Sequence, residues 1–216
     1  MENRRKFLQI MLKCFTGFGL LLSPLFHSVR VVYGKAKRII LPKGTEMESL
    51  VDKNPAELDT RNLETIPLKE FRTMGLSNQA VNLKDWRLEV TGRVKKPLSL
   101  TYAQLLAKPA FEKDVLLICP GFFANYGRWK GISLGRLLAE AGMEKGVTQV
   151  SFSGPENEYE KVEAFPLEDV LSNKVFLAYG VNGKTLPKKH GFPLRVVAED
   201  LFGFRWVKYV FKVKVV

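Results

Sequence analysis

The chain has 216 residues, which is enough for one domain with a sizeable core and too few for two full-sized domains. Hydrophobic residues make up 46% and charged residues 26%, a balance that excludes a disordered or fibrous chain. Lys and Arg number 34 against 22 Asp and Glu, so the net charge is +12. With only Cys14, Cys119, His27 and His190 available, the composition excludes a Cys/His zinc site, a cysteine-ligated iron–sulfur cluster, a disulfide framework and covalent CxxCH haem.

The N-terminus has the pattern of an export signal. The basic segment Asn3-Arg4-Arg5-Lys6-Phe7-Leu8 precedes an apolar run over 10–26, and its arginine pair resembles a twin-arginine signal for proteins exported in the folded state. We therefore predict a signal segment over residues 1–34. A retained membrane anchor is the alternative, because no A-x-A cleavage site precedes Lys35, although the apolar run is short and is interrupted by Lys13.

Short strands and a few short helices account for most of the remaining chain. Alternating or continuous apolar runs predict strands over 84–92, 114–119, 147–152, 175–179, 193–198 and 207–216. Short helices are predicted after the capping residues Thr101 and Ser133, and over 166–171. Residues 35–64 read as a lead-in, and Asn182-Gly183 predicts a tight hairpin. The pattern predicts an α+β fold with a coiled, barrel-like mixed sheet.

The strand 114–119 ends at a candidate functional residue. Its apolar run has no polar break, so we expect it to lie centrally in a sheet, followed by a Gly- and aromatic-rich loop over 120–127. Cys119 closes the strand, where a rigid element can present a side chain to a ligand. The alternative is a small inert core thiol. A thiol-protease pairing with His190 is not indicated, because no orienting acid is marked.

Cationic side chains concentrate in three further segments. His190 lies in a basic loop, and Arg195 follows on an apolar strand, where a charged side chain needs a partner such as phosphate or carboxylate. Lys208 belongs to the last predicted strand, whose lysines alternate with apolar residues and also suit a protected edge strand. Arg72 and Thr73 precede a glycine and indicate nothing by themselves.

In this order and spacing, the segments resemble the sulfite oxidase-type molybdopterin-binding domain family, which includes periplasmic methionine sulfoxide reductase catalytic subunits. The resemblance covers residues 65–216. It is carried by Trp86–Gly92 with Pro97–Leu100, Cys119, Trp129–Leu134, Leu177–Tyr179 with Asn182-Gly183, His190–Arg195 and Gly203–Lys208.

The resemblance implies a cofactor and its contacts. One molybdenum and one molybdopterin are expected, with no haem and no iron–sulfur cluster, and Cys119 would be the metal ligand and catalytic residue. The other implied cofactor contacts are Arg72, Thr73, Gly154, His190, Arg195, Trp206, Val207 and Lys208. The loop 69–75 departs from the family pattern, which is often rich in Asn, Tyr or His, and Pro120 to Phe123 replace the polar residues seen in sulfite oxidases. No sulfite-binding arginine cluster is therefore indicated.

The resemblance also implies an activity. An exported, periplasmic enzyme would transfer an oxygen atom in a two-electron step, by reducing an S-oxide or N-oxide or by oxidising a small anion. A separate electron carrier, such as a membrane haem protein or a cytochrome, would be its partner. One alternative is an inactive binding module that docks an anionic partner or membrane surface. Nucleic-acid binding, suggested by charge alone, is disfavoured by export and by lysines that are not interleaved with stacking aromatics.

Overall fold

The computed structural model describes residues 37–77, 79–156 and 161–216. Residues 38–216 form one compact unit. The predicted signal segment 1–34 lies outside the described residues. Within the described ranges, no helix has the length and apolar character needed to cross a bilayer.

Twelve strands and three α-helices are present in the described residues. The strands are β1 (Ile39–Ile40), β2 (Leu58–Asp59), β3 (Leu88–Gly92), β4 (Leu98–Leu100), β5 (Ala110–Cys119), β6 (Phe123–Ile132), β7 (Gln149–Ser153), β8 (Val162–Pro166), β9 (Val175–Val181), β10 (Lys184–Thr185), β11 (Arg195–Ala198) and β12 (Lys212–Val215). The α-helices are α1 (Tyr102–Leu106), α2 (Leu134–Glu140) and α3 (Leu167–Leu171). Short 3-10 helices lie at Met47–Leu50, Pro55–Glu57, Leu68–Glu70, Lys188–His190 and Gly203–Arg205.

Most strands belong to two five-stranded sheets. One has the order β5-β6-β9-β10, with β11 also paired to β9, and all its pairs are antiparallel. The other has the order β4-β3-β12-β7-β8, in which only β3 and β12 run parallel. One antiparallel sheet and one mixed sheet, together with three short helices, confirm the predicted α+β class.

Several local predictions are confirmed because they rest on specific backbone chemistry. Thr101 and Gln104 form a reciprocal capping box at the start of α1. Asn182 and Gly183 have φ values of 49° and 72°, which suit the tight turn between β9 and β10. Ser133 precedes α2 as predicted, but its side chain makes no capping hydrogen bond.

Strand β5 is an edge strand, so the expectation of a central position is wrong. Its apolar run is continuous because both faces are covered. Leu117 packs in the main core. Leu116 and Ile118 belong to a second apolar cluster, which the lead-in supplies with Leu41, Leu50 and Leu58. An unbroken apolar run reports burial of both faces, and it does not require hydrogen-bonded neighbours on both sides.

The predicted loop over 120–127 is wrong for most of its length. Only 120–122 form the turn, and β6 begins at Phe123 and pairs along the whole of β5. Two glycines, Gly127 and Gly131, interrupt the sequence pattern by which this strand could be recognised. At Gly131 a Cβ atom would lie 2.1 Å from the carbonyl oxygen of Leu177, so the glycine is required by close strand approach.

The predicted strand over 207–216 is shortened to Lys212–Val215. Tyr209 adopts a left-handed backbone conformation with φ 63°, which interrupts the extended chain. Tyr209 and Val210 are both buried, so the expected alternation fails there. Lys208 consequently lies at a cavity instead of on a wetted strand face.

Candidate functional site

A cavity of about 410 Å³ forms where β5 and β6 meet the segments that precede β11 and β12. Its described lining has no Asp or Glu, and it contains five basic side chains: Arg72, Lys161, His190, Arg195 and Lys208. Such a lining disfavours cationic ligands and favours an anion.

Eight of the nine residues predicted for the site line this cavity, namely Arg72, Thr73, Cys119, Gly154, His190, Arg195, Trp206 and Lys208. Val207 does not line it. That residue is fully buried, and its carbonyl accepts a hydrogen bond from the Val196 amide at 2.8 Å. Side chains from segments far apart in the sequence are therefore brought to one place.

The thiol of Cys119 lies at the end of β5, where it is partly buried. Its Sγ is 4.0 Å from the Sδ of Met74. Burial raises the pKa of the Cys119 thiol above its ordinary value. The protein alone thus favours the protonated thiol, and a nearby positive charge such as a bound metal ion would favour the thiolate.

Arg195 is a buried cation without a carboxylate partner among the described residues. Its side chain is 5% exposed, and Nη1 donates to the carbonyl oxygen of His190 at 2.9 Å. The guanidinium carbon lies 5.1 Å from the ring centre of Trp129 and 5.4 Å from that of Trp206. Burial lowers the pKa of Arg195 to about 10. A desolvated, unpaired charge is costly, so this position favours a bound anion.

His190 is buried beside Arg195. The pKa of His190 is lowered to about 4, so the imidazole is neutral at pH 7. Burial is the main cause, and the nearby positive charges of Arg195, Lys189 and Lys208 add to it. Its Nε2 has no hydrogen-bond partner among the described residues. This orphaned nitrogen belongs to a side chain that lines the cavity, where a ligand can satisfy it.

A left-handed glycine lets the His190 turn pack against buried Arg195 and partly buried Lys208. Gly191 has φ 106°, and a Cβ atom there would lie 3.0 Å from Arg195 Cβ and 3.0 Å from Lys208 Cγ. The glycine therefore sets how closely the turn approaches the two cationic side chains.

Lys208 is held by the N-terminal side of the cavity. Its Nζ donates to Thr73 Oγ1 at 2.9 Å, to the Met74 carbonyl at 2.9 Å and to the Leu76 carbonyl at 2.8 Å. Burial and the charge of Arg195 lower the pKa of Lys208 to about 8. Two predicted site residues, Thr73 and Lys208, are thus in direct contact.

Asn125 is a site residue that the sequence analysis missed. It is 2% exposed on β6, its Oδ1 accepts from the Arg72 amide at 3.1 Å, and its Nδ2 donates to the Arg72 carbonyl at 2.8 Å. An Asn inside an apolar strand is a recognisable signal, but residues 120–127 were predicted to be a loop. The guanidinium carbon of Arg72 lies 5.8 Å from the Phe123 ring centre.

Comparisons with known proteins agree with this geometry. Residues 75–216 match the family described as the oxidoreductase molybdopterin binding domain. The chain is 32% identical over 146 residues to the protein-methionine-sulfoxide reductase catalytic subunit MsrP of Gluconobacter oxydans, covering 60% of this chain and 46% of that protein. It is 31% identical over 180 residues to nitrate reductase [NADH] 1 of Arabidopsis thaliana, covering 67% of this chain and 19% of that protein.

A solved structure is similar as well. The sulfane dehydrogenase SoxCD of Paracoccus pantotrophus matches with a TM-score of 0.59 and 28% identity, over 63% of this chain and 39% of that chain. This match confirms the predicted fold family. The chain spans less than half the length of each of these three proteins.

Proposed function

The chain belongs to the oxidoreductase molybdopterin-binding domain family, and on that premise we propose that it is an exported enzyme transferring an oxygen atom to or from a small substrate. When bound, Mo-molybdopterin supplies the two-electron chemistry between Mo(VI) and Mo(IV). The chain supplies the metal ligand, the anion-binding groups and the walls of the site.

The observation that carries this proposal is the buried, unpaired Arg195 in the same cavity as the Cys119 thiol. A molybdopterin carries a phosphate, which suits a guanidinium that lacks a carboxylate partner. Cys119 would bind the metal, and Arg195 would bind the phosphate. The free Nε2 of His190 supports a polar contact with the pterin. The donor set therefore fits the cofactor.

The remaining predicted contacts stay part of the proposal. Thr73, Gly154 and Trp206 line the cavity with Arg195, so each is placed where a cofactor could touch it. Arg72 is exposed at the same cavity, with its backbone fixed by Asn125. Val207 would contribute to cofactor binding only through nearby main-chain atoms, because its own side chain is buried in the core.

For the substrate, we favour an S-oxide. Met74 and Phe204 line the cavity and are 45% and 56% exposed, and Phe123 adds a third apolar side chain. Such walls suit the carbon substituents of a sulfoxide better than they suit a fully hydrated inorganic anion. The similarity to a methionine-sulfoxide reductase subunit supports the same choice. Electrons would come from a separate carrier, such as a haem protein, and residues 1–34 would direct export.

The test is metal and pterin analysis of the full chain purified from a host that makes the cofactor. We expect about one molybdenum per chain, together with viologen-linked reduction of dimethyl sulfoxide. Cys119→Ser should lose the activity and the molybdenum redox signals but keep the circular dichroism of the parent, because only one atom changes. Cys14→Ser is the matched control and should keep both. A folded, metal-free parent chain would instead support the inactive binding module.

A further inference from the structure

Met74 differs in its exposure from Met47 and Met143, the other methionines of the described residues. Met74 is 45% exposed, whereas Met47 and Met143 are partly buried and each packs against one of the two apolar clusters. Oxidation of a methionine to its sulfoxide requires that the oxidant reach the thioether sulfur. An oxidant in solution should therefore react with Met74 before it reacts with the other two.

The thioether of Met74 lies in the cavity, beside the proposed metal ligand. Met74 belongs to the cavity lining, and its Sδ is 4.0 Å from the Cys119 Sγ. Two residues earlier, the backbone amide and carbonyl of Arg72 are both hydrogen-bonded to the side chain of Asn125. Because Asn125 is on β6, which pairs with the strand that ends at Cys119, the main chain leading to Met74 is anchored close to the thiol.

The product of this oxidation belongs to the substrate class favoured above. The sulfur of a methionine sulfoxide carries one oxygen, a methyl group and a methylene group, so the side chain is a dialkyl S-oxide. Oxidation of Met74 would create such a group within the cavity. A substrate that is part of the chain needs no encounter in solution, which favours its reaction over that of the same group on another molecule.

We propose that Met74 is an oxidation site of the cavity and that its sulfoxide is reduced by the same chain. The reduction rests on the proposed function. In the oxidation, hydrogen peroxide transfers one oxygen to Met74 Sδ, and the remainder leaves as water. In the reduction, the S–O bond breaks, the electron carrier supplies two electrons, two protons are taken up, and the oxygen leaves as water. The cycle restores the apolar wall beside Cys119.

The first test uses the metal-free full chain, purified from a host without the cofactor. Trypsin cleaves after Arg72 and Lys84, and its other cleavage sites place Met47 and Met143 in separate peptides. During brief treatment with hydrogen peroxide, we expect Met74 to gain oxygen roughly fivefold faster than Met47 or Met143. A rate for Met74 no higher than that for Met143 overturns the proposal, because exposure in the cavity would then not select Met74.

The second test uses the chain from a host that makes the cofactor, after longer peroxide treatment has oxidised all three methionines. Reduced viologen is added, and the same peptides are followed by mass spectrometry. At least about half of the Met74 sulfoxide should be lost, because peroxide forms both sulfoxide epimers and one site can accept a single epimer. The sulfoxides of Met47 and Met143, which are not in the cavity lining, should persist.

Two controls show whether the reduction occurs within one chain. The rate of loss of the Met74 sulfoxide should not change when the protein is diluted, because the substrate is part of the chain that reduces it. In Cys119→Ser the Met74 sulfoxide should persist, since this variant keeps Met74 but lacks the proposed metal ligand. Cys14→Ser should behave as the parent does.

Reduction of dimethyl sulfoxide, measured in parallel, separates this proposal from the proposed function. A chain that reduces dimethyl sulfoxide but leaves the Met74 sulfoxide intact overturns the proposal made here and leaves the proposed function standing. A rate that falls on dilution also overturns it, because the reduction would then occur between molecules. A molybdenum-loaded chain that reduces neither compound contradicts the choice of an S-oxide substrate as well.

Discussion

Asn125 and Arg72 exchange two hydrogen bonds, one to the amide and one to the carbonyl of Arg72, so a side chain of β6 acts as a backbone partner for the loop. The segment around Arg72 is not paired with a strand, and the side-chain amide of Asn125 makes the hydrogen bonds that a neighbouring strand would make. The pair connects the sheet that carries Cys119 with the N-terminal wall of the cavity.

Replacing Asn125 with Ala should lower the free energy of unfolding by about 2–3 kcal/mol, because two backbone groups of Arg72 lose their partners. Urea unfolding followed by fluorescence measures this change. The control is Asn54→Ala, which removes an exposed cap of a 3-10 helix and should cost less than about 1 kcal/mol. Equal costs for the two variants would contradict the role assigned to Asn125.

Replacing Arg195 with Met should leave the metal-free chain as stable as the parent or more stable, by up to about 2 kcal/mol. The reason is that an unpaired buried charge is exchanged for an apolar side chain of similar length. The same variant should lose the cofactor when produced in a competent host. Urea unfolding and molybdenum analysis give the two results.

The matched control for Arg195 is Arg205→Met. Its Nε lies 2.6 Å from Glu163 Oε2, so that guanidinium is already paired with a carboxylate. We expect this variant to be slightly destabilised and to keep the cofactor. A loss of more than about 3 kcal/mol in Arg195→Met would show that the guanidinium is satisfied without an anion.

The metal-free chain should lose stability on acidification because of His190. The folded pKa is about 4, below the ordinary value of 6.5, so the unfolded chain takes up a proton first as the pH falls. The free energy of unfolding therefore declines from about pH 6.5 and the contribution levels off near pH 4. His190 should account for about 2 kcal/mol between pH 7 and pH 5.

His190→Gln supplies the comparison, since Gln does not titrate. Urea unfolding in buffers without phosphate should show a smaller loss between pH 7 and pH 5 in this variant than in the parent. Parallel curves for the two proteins would mean that His190 keeps an ordinary pKa in the folded chain.

Gly191→Ala and Gly44→Ala form a pair that separates backbone strain from crowding. Both glycines have positive φ, 106° and 79°, but only a Cβ atom at Gly191 would meet neighbours, namely Arg195 and Lys208 at 3.0 Å. We expect losses in unfolding free energy of about 1 kcal/mol for Gly44→Ala and about 2–4 kcal/mol for Gly191→Ala. Equal losses would show that the two cationic side chains move aside freely.

The sequence predicted elements well where local chemistry decides the backbone. The capping box at Thr101 and the turn at Asn182-Gly183 are set by hydrogen bonds and φ preferences of a few neighbouring residues. Most predicted site residues also meet in one cavity. Their proposed roles toward the cofactor stay predictions.

The wrong predictions arise where contacts between residues far apart in the sequence determine the backbone conformation. The first half of β6 was predicted as part of a loop over 120–127, and the second half was not predicted as a strand. Gly127 and Gly131 interrupt its pattern, yet at both positions another residue leaves no room for a Cβ atom. Tyr209 has a left-handed backbone that no local signal announces. Asn125 was missed as a consequence of the first error, since its importance is visible only once its strand is known.

The second apolar cluster bears on where this domain can be trimmed. The family match begins at residue 75, but Leu41, Leu50 and Leu58 cover one face of β5 and β6. A chain cut to begin at that boundary would leave Leu116 and Ile118 of the edge strand β5, and Tyr126 of the neighbouring β6, facing water. Such a fragment would tend to self-associate, so useful truncations should retain the residues from Arg38 onward.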